Sequence, residues 1–142
     1  MPNPCFELNG KVINSNELTD MADYFIANGT ENEFYLGSFI KCWIDDKDFI
    51  SIQTSGTTSN PKIIRLAKTS FINSAKATAA YFGLVAGDSA LCCLPFSFIA
   101  GKMMFIRAWV LGLKLDVIEP SSHPLERLPK RSYDFSAMVP LQ

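Results

Sequence analysis

The apolar positions of the first third of the chain predict two helices. Asn14 and Glu17 form a capping-box pattern, and the apolar residues after them keep helical spacing up to Asn28-Gly29, which predicts a helix over about 15–28. Thr30 and Glu33 repeat the start signal. A second apolar stripe follows at helical spacing and consists of Leu36, Phe39, Ile40 and Trp43.

The rest of the chain alternates between strand and helix patterns. Two short β-branched runs, 49–52 and 63–66, predict strands on either side of a polar loop. Thr69 or Ser70 is then expected to cap a helix that stops at Gly83. The remaining predictions are strands at 90–94, 114–118 and 135–139, a buried helix at 99–111, and a connecting loop at 121–130. This alternation predicts an α/β fold, with a largely parallel sheet and helices on both faces.

Composition narrows the classes of function. With 13 basic and 14 acidic residues the net charge is −1, so we expect no nucleic-acid partner and no anionic membrane partner. No apolar stretch approaches a membrane span, and the N-terminus lacks a signal-peptide pattern, so a cytoplasmic location is expected. Four cysteines without a CxxC pair, and a single histidine, favour free thiols over disulfides or a zinc site.

The loop 53–62, which reads QTSGTTSNPK, carries the densest candidate chemistry. Its hydroxyls, a glycine without a Cβ and a lysine are the groups that bind phosphate oxygens. Its order does not match the P-loop, because a proline precedes the lysine and an isoleucine follows it. Its composition alone favours an ordinary β-hairpin turn, and that alternative stays open.

Read in order, Thr54-Ser55-Gly56-Thr57-Thr58-x-x-Pro61-Lys62 resembles the signature loop TSGTTG-x-PKG of the adenylate-forming superfamily. That superfamily comprises acyl-CoA synthetases, adenylation domains of nonribosomal peptide synthetases and luciferases. Ser59 and Ile63 replace the two later glycines of the pattern, but no hydroxyl and no lysine is lost. The resemblance implies a site for the phosphates of ATP formed by Thr54, Ser55, Gly56, Thr57, Thr58 and Lys62.

The likeness continues downstream. The segments Val85-x-Gly87-Asp88, Leu94-Pro95-Phe96 and Ile99-x-Gly101 are similar to the "GD…LPLFH…G" region of acyl-CoA synthetases, and Val139-Pro140 matches a later short segment. The resemblance therefore predicts a partial AMP-binding α/β domain over 49–142, preceded by a helical section over 1–48 that carries no motif. The spelling LPFSFIAGKMM looks most like the short o-succinylbenzoate–CoA ligases of menaquinone synthesis.

The resemblance also implies a reaction. A carboxylate attacks the α-phosphorus of ATP to give an acyl-adenylate and pyrophosphate, and the thiol of coenzyme A then displaces AMP, with Mg²⁺ bridging the phosphates. Phe98 and Gly101 are implied to shape the acyl pocket. Lys102 is a candidate cation for a second substrate carboxylate, and the alternative is that Lys102 and Arg107 both extend to solvent.

In the family, the adenine-binding segment, the magnesium-coordinating glutamate, the ribose-binding aspartate and the catalytic lysine follow the region that resembles this chain. We therefore expect the N-terminal part of an ATP-dependent acid–CoA ligase that is inactive by itself, and the catalytic residue is not identified. A stand-alone nucleotide-binding or regulatory module and a purely structural α/β domain remain as alternatives. An exposed sheet edge would lead to a homodimer or a domain swap.

Overall fold

The computed structural model describes residues 2–54, 60–128 and 131–142, excluding the side chain of Arg127. Four α-helices lie in this part of the chain: α1 (Ser15–Asn28), α2 (Glu31–Ile44), α3 (Lys68–Phe82) and α4 (Ile99–Leu111). The strands are β1 (Glu7–Leu8), β2 (Lys11–Val12), β3 (Phe49–Thr54), β4 (Lys62–Ala67), β5 (Ser89–Cys92), β6 (Lys114–Val117) and β7 (Phe135–Ala137). A short 3₁₀ helix covers Pro124–Arg127.

Five of these strands form one sheet in the order β2-β1-β6-β5-β7. Strand β6 pairs in parallel with β1 and β5, and β5 also pairs in parallel with β7, while β1 and β2 are antiparallel. The α/β fold class with a largely parallel sheet is therefore confirmed. Because the three central pairings are parallel, the carboxyl ends of β5, β6 and β7 meet at one edge of the sheet.

Strands β1 and β2 lie in the N-terminal section for which only helices were predicted. Glu7 pairs with Lys114 and Leu8 with Leu115, so this section contributes strands to the same sheet as the later segments. Asn9 and Gly10 both have positive φ and form the turn between the two strands. A boundary near residue 48 stays a prediction.

Helices α1 and α2 form as the sequence predicts. Each begins with a complete capping box, Asn14 with Glu17 and Thr30 with Glu33, in which the side chains bond each other's backbone N–H groups. Helix α4 is the most buried helix and packs on β5 and β6. The edge of the Phe105 ring meets Phe39 of α2, which joins the two helical layers into one core.

The start predicted for α3 is wrong. The helix begins at Lys68 with Ala67 as N-cap, and neither Thr69 nor Ser70 caps it. Contacts with the α2–β3 connection fix this start instead, because the Lys68 N–H donates to the Asp48 carbonyl at 2.8 Å and the Lys68 ammonium binds Asp45 at 2.8 Å. The predicted ends of the later strands differ from the structure by one or two residues, since β5, β6 and β7 end at Cys92, Val117 and Ala137.

Strands β3 and β4 pair antiparallel as a separate hairpin. Ile50 and Ile52 of β3 are buried in the core, and the residues between and after them are exposed. An isolated two-stranded hairpin is marginally stable, so this inward-facing pair anchors the hairpin to the core. Within the described residues, no helix has the length and apolar character needed to cross a membrane.

Candidate functional site

The β3–β4 hairpin closes directly below the hydroxyl-rich loop. Thr54, the last residue of β3, pairs with Lys62, the first residue of β4. The Thr54 hydroxyl donates to the Lys62 carbonyl oxygen at 3.1 Å, while the Lys62 side chain is exposed. The two predicted phosphate-binding residues at the ends of the loop are therefore neighbours, and the only hydroxyl proton of Thr54 closes the hairpin.

The other predicted phosphate-binding residues, Ser55, Gly56, Thr57 and Thr58, lie outside the described residues, as does Ser59. Residues 60–62 resume on the β4 side. The described residues of this site form a hairpin that Ile50 and Ile52 anchor to the core, and the exposed Lys62 side chain lies at its loop end. Such a frame can present hydroxyls, backbone N–H groups and one cation to an anion.

The first turn of α4 lies directly against the chain that leaves β5. Phe98 is the N-cap, and its N–H donates to the Pro95 carbonyl at 3.3 Å. Gly101 is buried against the same segment, and a Cβ there would overlap the Pro95 carbonyl oxygen. Gly101 therefore allows helix and loop to approach closely, whereas the Phe98 ring is exposed.

Lys102 and Arg107 lie on different sides of α4. The Lys102 ammonium is 5.9 Å from the ring centroid of Phe39, and partial burial lowers its pKa, with nearby Cys42 acting in the opposite direction. The Arg107 guanidinium is 5.8 Å from the ring centroid of Phe135 on β7, and its pKa is lowered by burial. Each cation lies over an aromatic ring, and the two do not converge on one point.

A groove of about 250 Å³ lies beside Phe98 and contains residues that no motif indicated. Asn32 of α2 is only 8% exposed. Its Oδ1 accepts a hydrogen bond from the Phe96 N–H at 2.9 Å, while its Nδ2 is buried with no hydrogen-bond partner among the described residues. The other residues that line the groove are Glu31, Tyr35, Pro95, Ser97, Phe98, Glu119 and Pro120.

Glu119 joins this groove to the start of α2. Its Oε1 accepts a hydrogen bond from the Thr30 hydroxyl at 2.6 Å, and Thr30 is the residue that caps α2. Two carboxylates, Glu31 and Glu119, line the groove, and no lysine or arginine is among its lining residues. The predicted cation, Lys102, therefore does not share this groove with Phe98.

The adjacent residues Cys92 and Cys93, which lie just before Pro95, carry unreactive thiols. Burial raises the pKa of Cys92 to about 12, and burial also raises the pKa of Cys93. Both are therefore protonated near neutral pH and are not nucleophiles. Among the residues that the structure describes, no group of three or more His, Cys, Asp and Glu side chains is arranged to hold a metal ion.

A larger groove of about 720 Å³ lies between α1, α2, α3 and α4. Trp43, Trp109 and the lysines Lys47, Lys68 and Lys76 line it. Lys68 is paired with Asp45, whose pKa is lowered by that hydrogen bond. Of the residues predicted for phosphate or acyl binding, those that the structure describes, Thr54, Lys62, Phe98, Gly101 and Lys102, do not line this groove.

The hairpin, the close approach at Gly101 and the largely parallel sheet define an α/β domain. Comparison with protein families makes the class specific, since the AMP-binding enzyme family matches residues 12–140. The chain belongs to this family, and its fold is that of the N-terminal domain of adenylate-forming enzymes. A search of curated proteins found no match.

Two solved structures illustrate the likeness. An acyl-CoA synthetase (AMP-forming)/AMP-acid ligase II-like protein from Dyadobacter fermentans is 34% identical, with a TM-score of 0.71, over 79% of this chain and 32% of that chain. The o-succinylbenzoate CoA synthetase of Bacillus subtilis, in complex with its acyl-adenylate intermediate, is 25% identical, with a TM-score of 0.48, over 54% of this chain and 20% of that chain. The present chain thus spans about a third or less of the length of these proteins.

Proposed function

We propose that this chain supplies the phosphate-binding hairpin of an ATP-dependent acid–CoA ligase that forms an acyl-adenylate and then a thioester. The observation that carries the proposal is the hairpin mouth, where Thr54 and Lys62 are paired at the two ends of a family signature loop. Family membership supports the same reaction class. The chain would act as the N-terminal portion of the ligase and would not complete adenylation by itself.

The role of the hairpin follows from the charge of the leaving group. Pyrophosphate leaves as the substrate carboxylate attacks the α-phosphorus, so positive charge and hydrogen-bond donors near the β- and γ-phosphates favour the transition state. Lys62 provides the charge, and Ser55, Gly56, Thr57 and Thr58 provide hydroxyl and backbone donors. Thr54 joins them only if its hydroxyl exchanges the Lys62 carbonyl for a phosphate oxygen.

Mg²⁺ and coenzyme A are part of the proposed reaction. Mg²⁺ would supply further positive charge between phosphate oxygens. The described residues do not fit a protein-held magnesium site, since no cluster of metal-binding side chains is found among them. The residues proposed to bind the phosphates therefore belong to the β3–β4 hairpin.

The narrower proposal is that the acid is o-succinylbenzoate and that the ligase acts in menaquinone synthesis in the cytoplasm. The LPFSFIAGKMM segment supports this substrate. Four free cysteines fit a reducing compartment. Phe98, exposed at the N-terminus of α4, would contact the acyl group. Gly101 and Lys102, in the first turn of the same helix, would complete this side of the acyl pocket.

Calorimetry with pyrophosphate and with ATP tests the phosphate site on this chain. We expect measurable binding, weakened roughly tenfold by Lys62→Ala, because one charged donor to phosphate is lost. Lys76→Ala removes an exposed lysine from α3 and serves as the matched control, which we expect to leave the affinity unchanged. Equal heats for wild type and Lys62→Ala would contradict the proposal.

A nucleotide-binding module without catalysis is the second candidate, because the same loop would bind ATP in either case. Turnover separates the two. Incubation with ATP, Mg²⁺, o-succinylbenzoate and coenzyme A should give no thioester with the 142-residue chain alone. Thioester formation on adding a separately expressed segment that bears the family's catalytic lysine would support the ligase, and binding without turnover in that reconstituted system would support the module.

A further inference from the structure

The large groove between the four helices carries positive charge that the protein does not neutralise. Asp45 is the only acidic residue among the described residues that line it, and the Lys68 ammonium binds Asp45 at 2.8 Å. Lys47 and Lys76 also line the groove, and neither ammonium group has an Asp or Glu oxygen within 4.0 Å. Because every Asp and Glu of the chain lies in the described ranges, this holds for all its acidic side chains.

The amino end of α1 adds hydrogen-bond donors to the same groove. Ser15 and Asn16, which line it, are the first two residues of α1, and the Asn14 side chain caps only the N–H of Glu17. The backbone N–H groups of Ser15 and Asn16 therefore have no partner within the helix, and the dipole of α1 is positive at this end. Together with the unpaired lysines, these groups favour an anionic ligand.

The groove also has an apolar lining. Ile44, Ile72 and Val110 are half-buried side chains that pack against the core and border the groove. Trp43 and Trp109, each 7% exposed, contribute the rest of the apolar lining. A volume of about 720 Å³ is within the usual range of small-molecule sites. An anion joined to a ring or chain would cover this apolar surface, which a bare anion would leave in water.

The balance of charge restricts the anionic group. With Lys68 paired to Asp45, two lysine charges are left without a carboxylate partner. A phosphate monoester carries about 1.5 to 2 negative charges at neutral pH, so it matches two lysines better than a single carboxylate does. Asp46 and Asp48 lie in the same connection as Lys47 but do not line the groove, so they do not occupy the place of the anion.

We propose that this groove binds a phosphate monoester of an apolar alcohol, at a site separate from the β3–β4 hairpin. Lys47 and Lys76 neutralise the phosphate group, and the ring or chain lies over Ile72 and Val110. The site goes beyond the proposed ligase reaction, because none of the described residues predicted for phosphate or acyl binding lines it.

Phenyl phosphate, phenol and inorganic phosphate test the two parts of this ligand. Phenyl phosphate has both the ring and the dianion, and each of the other two compounds lacks one of them. Trp43 and Trp109 are the only tryptophans of the chain, so their two indole N–H signals in ¹⁵N-labelled protein report on this groove. We expect saturable shifts of both signals with phenyl phosphate, and roughly tenfold weaker binding of phenol and of inorganic phosphate. Silent indole signals, or phenol as tight a ligand as phenyl phosphate, would overturn the proposal.

Substitution of the two unpaired lysines tests their role. Lys47→Gln and Lys76→Gln remove a charge from exposed positions, and each should weaken phenyl phosphate about fivefold. Lys41→Gln, on α2 outside the groove, is the matched control and should bind as wild type does. Undiminished affinity in the variant that carries both substitutions overturns the proposal.

Pyrophosphate titrated into the same sample separates this site from the hairpin. Since pyrophosphate has no apolar part, we expect it to shift the hairpin amides and not the indole signals. Indole shifts with phenyl phosphate, without any response of Lys62 to pyrophosphate, would support the groove and contradict the hairpin site. A response of Lys62 to pyrophosphate, with indole signals that ignore phenyl phosphate, would overturn the groove and leave the proposed function standing.

Discussion

Gly101 shows how one missing side chain sets the geometry of the α4 N-terminus. The helix begins so close to the Leu94–Pro95 backbone that a Cβ would overlap the Pro95 carbonyl oxygen. The partner is backbone, which cannot move aside as a flexible side chain can. The position of Phe98, and with it the groove beside Asn32, depends on this approach.

We predict that Gly101→Ala lowers the free energy of unfolding by about 1–3 kcal/mol, the usual cost of overpacking a rigid site. Urea unfolding followed by circular dichroism measures it. Ala100→Ser, at the exposed preceding position, is the control and should change the free energy by less than about 0.5 kcal/mol. A Gly101→Ala variant as stable as the control would show that α4 shifts freely at this end.

At the residue scale the order of the sequence identifies candidate motif residues but not the contacts that the fold creates around them. Thr54 and Lys62 were found from the order of the loop, and the structure places them side by side. Asn32 carries no motif, since its contact with Phe96 spans 64 positions and only the fold creates it. Lys102 stays a candidate cation for the acyl pocket; its ammonium group lies 5.9 Å from the ring centroid of Phe39 on α2, a direction that sequence spacing alone does not give.

Among the secondary-structure elements, β7 has a polar link to β5 just before the strand begins. The Ser89 N–H and hydroxyl both donate to Asp134 Oδ2, at 2.8 and 3.1 Å, just before β7 begins. Both hydrogen bonds lower the pKa of Asp134, and the bond from the Ser89 backbone N–H has the larger effect. The charged form is therefore favoured in the folded state.

The stabilisation of the fold by the charged Asp134 carboxylate depends on pH. Because the pKa of Asp134 in the folded state lies below the unfolded value of about 3.9, the unfolded chain takes up the proton first as the pH falls. The stabilisation is therefore lost as the pH falls through the pKa of the folded state. We expect Asp134→Asn to be less stable than wild type at pH 7 and the difference to shrink below about pH 4.

Urea midpoints across this pH range provide the measurement, with Asp20→Asn on α1 as an exposed control. A wild-type minus Asp134→Asn difference that stays constant from pH 7 to pH 3 would mean that the link to Ser89 contributes nothing.

Elements whose signals are local were predictable, and elements fixed by distant contacts were not. Helix α1 has the predicted bounds because Asn14, Glu17 and the Asn28-Gly29 stop all act within the segment. Strands β1 and β2 are two residues long and exist through pairing of Glu7 with Lys114 more than a hundred positions away. The start of α3 follows the same rule, since Asp45 and Asp48 fix Lys68 from outside the helix.

For the whole molecule, β7 is the outermost strand of the described sheet on its side and pairs only with β5. Exposed apolar residues surround this edge: Tyr81, Phe82, Met138, Val139 and Leu141. Unpaired strand edges beside apolar surface tend to pair with another chain. We therefore predict reversible self-association of the 142-residue chain.

Sedimentation velocity over a wide concentration range tests this prediction. The apparent mass should rise toward twice 15.8 kDa, and Val139→Lys, which places a charge beside the edge, should suppress the rise. Lys76→Ala, on α3, should behave as wild type. A single monomeric species at the highest concentration would contradict it.

The proposed ligase function requires that the loop between β3 and β4 binds phosphate and is not merely a turn. Pyrophosphate titrated into ¹⁵N-labelled protein tests it most directly, with the Asn9–Gly10 turn between β1 and β2 as an internal comparison of a plain hairpin. We predict saturable shifts of the backbone amides from Thr54 to Lys62, which need roughly tenfold more pyrophosphate in Lys62→Ala, and none at Asn9 and Gly10. Equal, non-saturating shifts in both turns would contradict the claim.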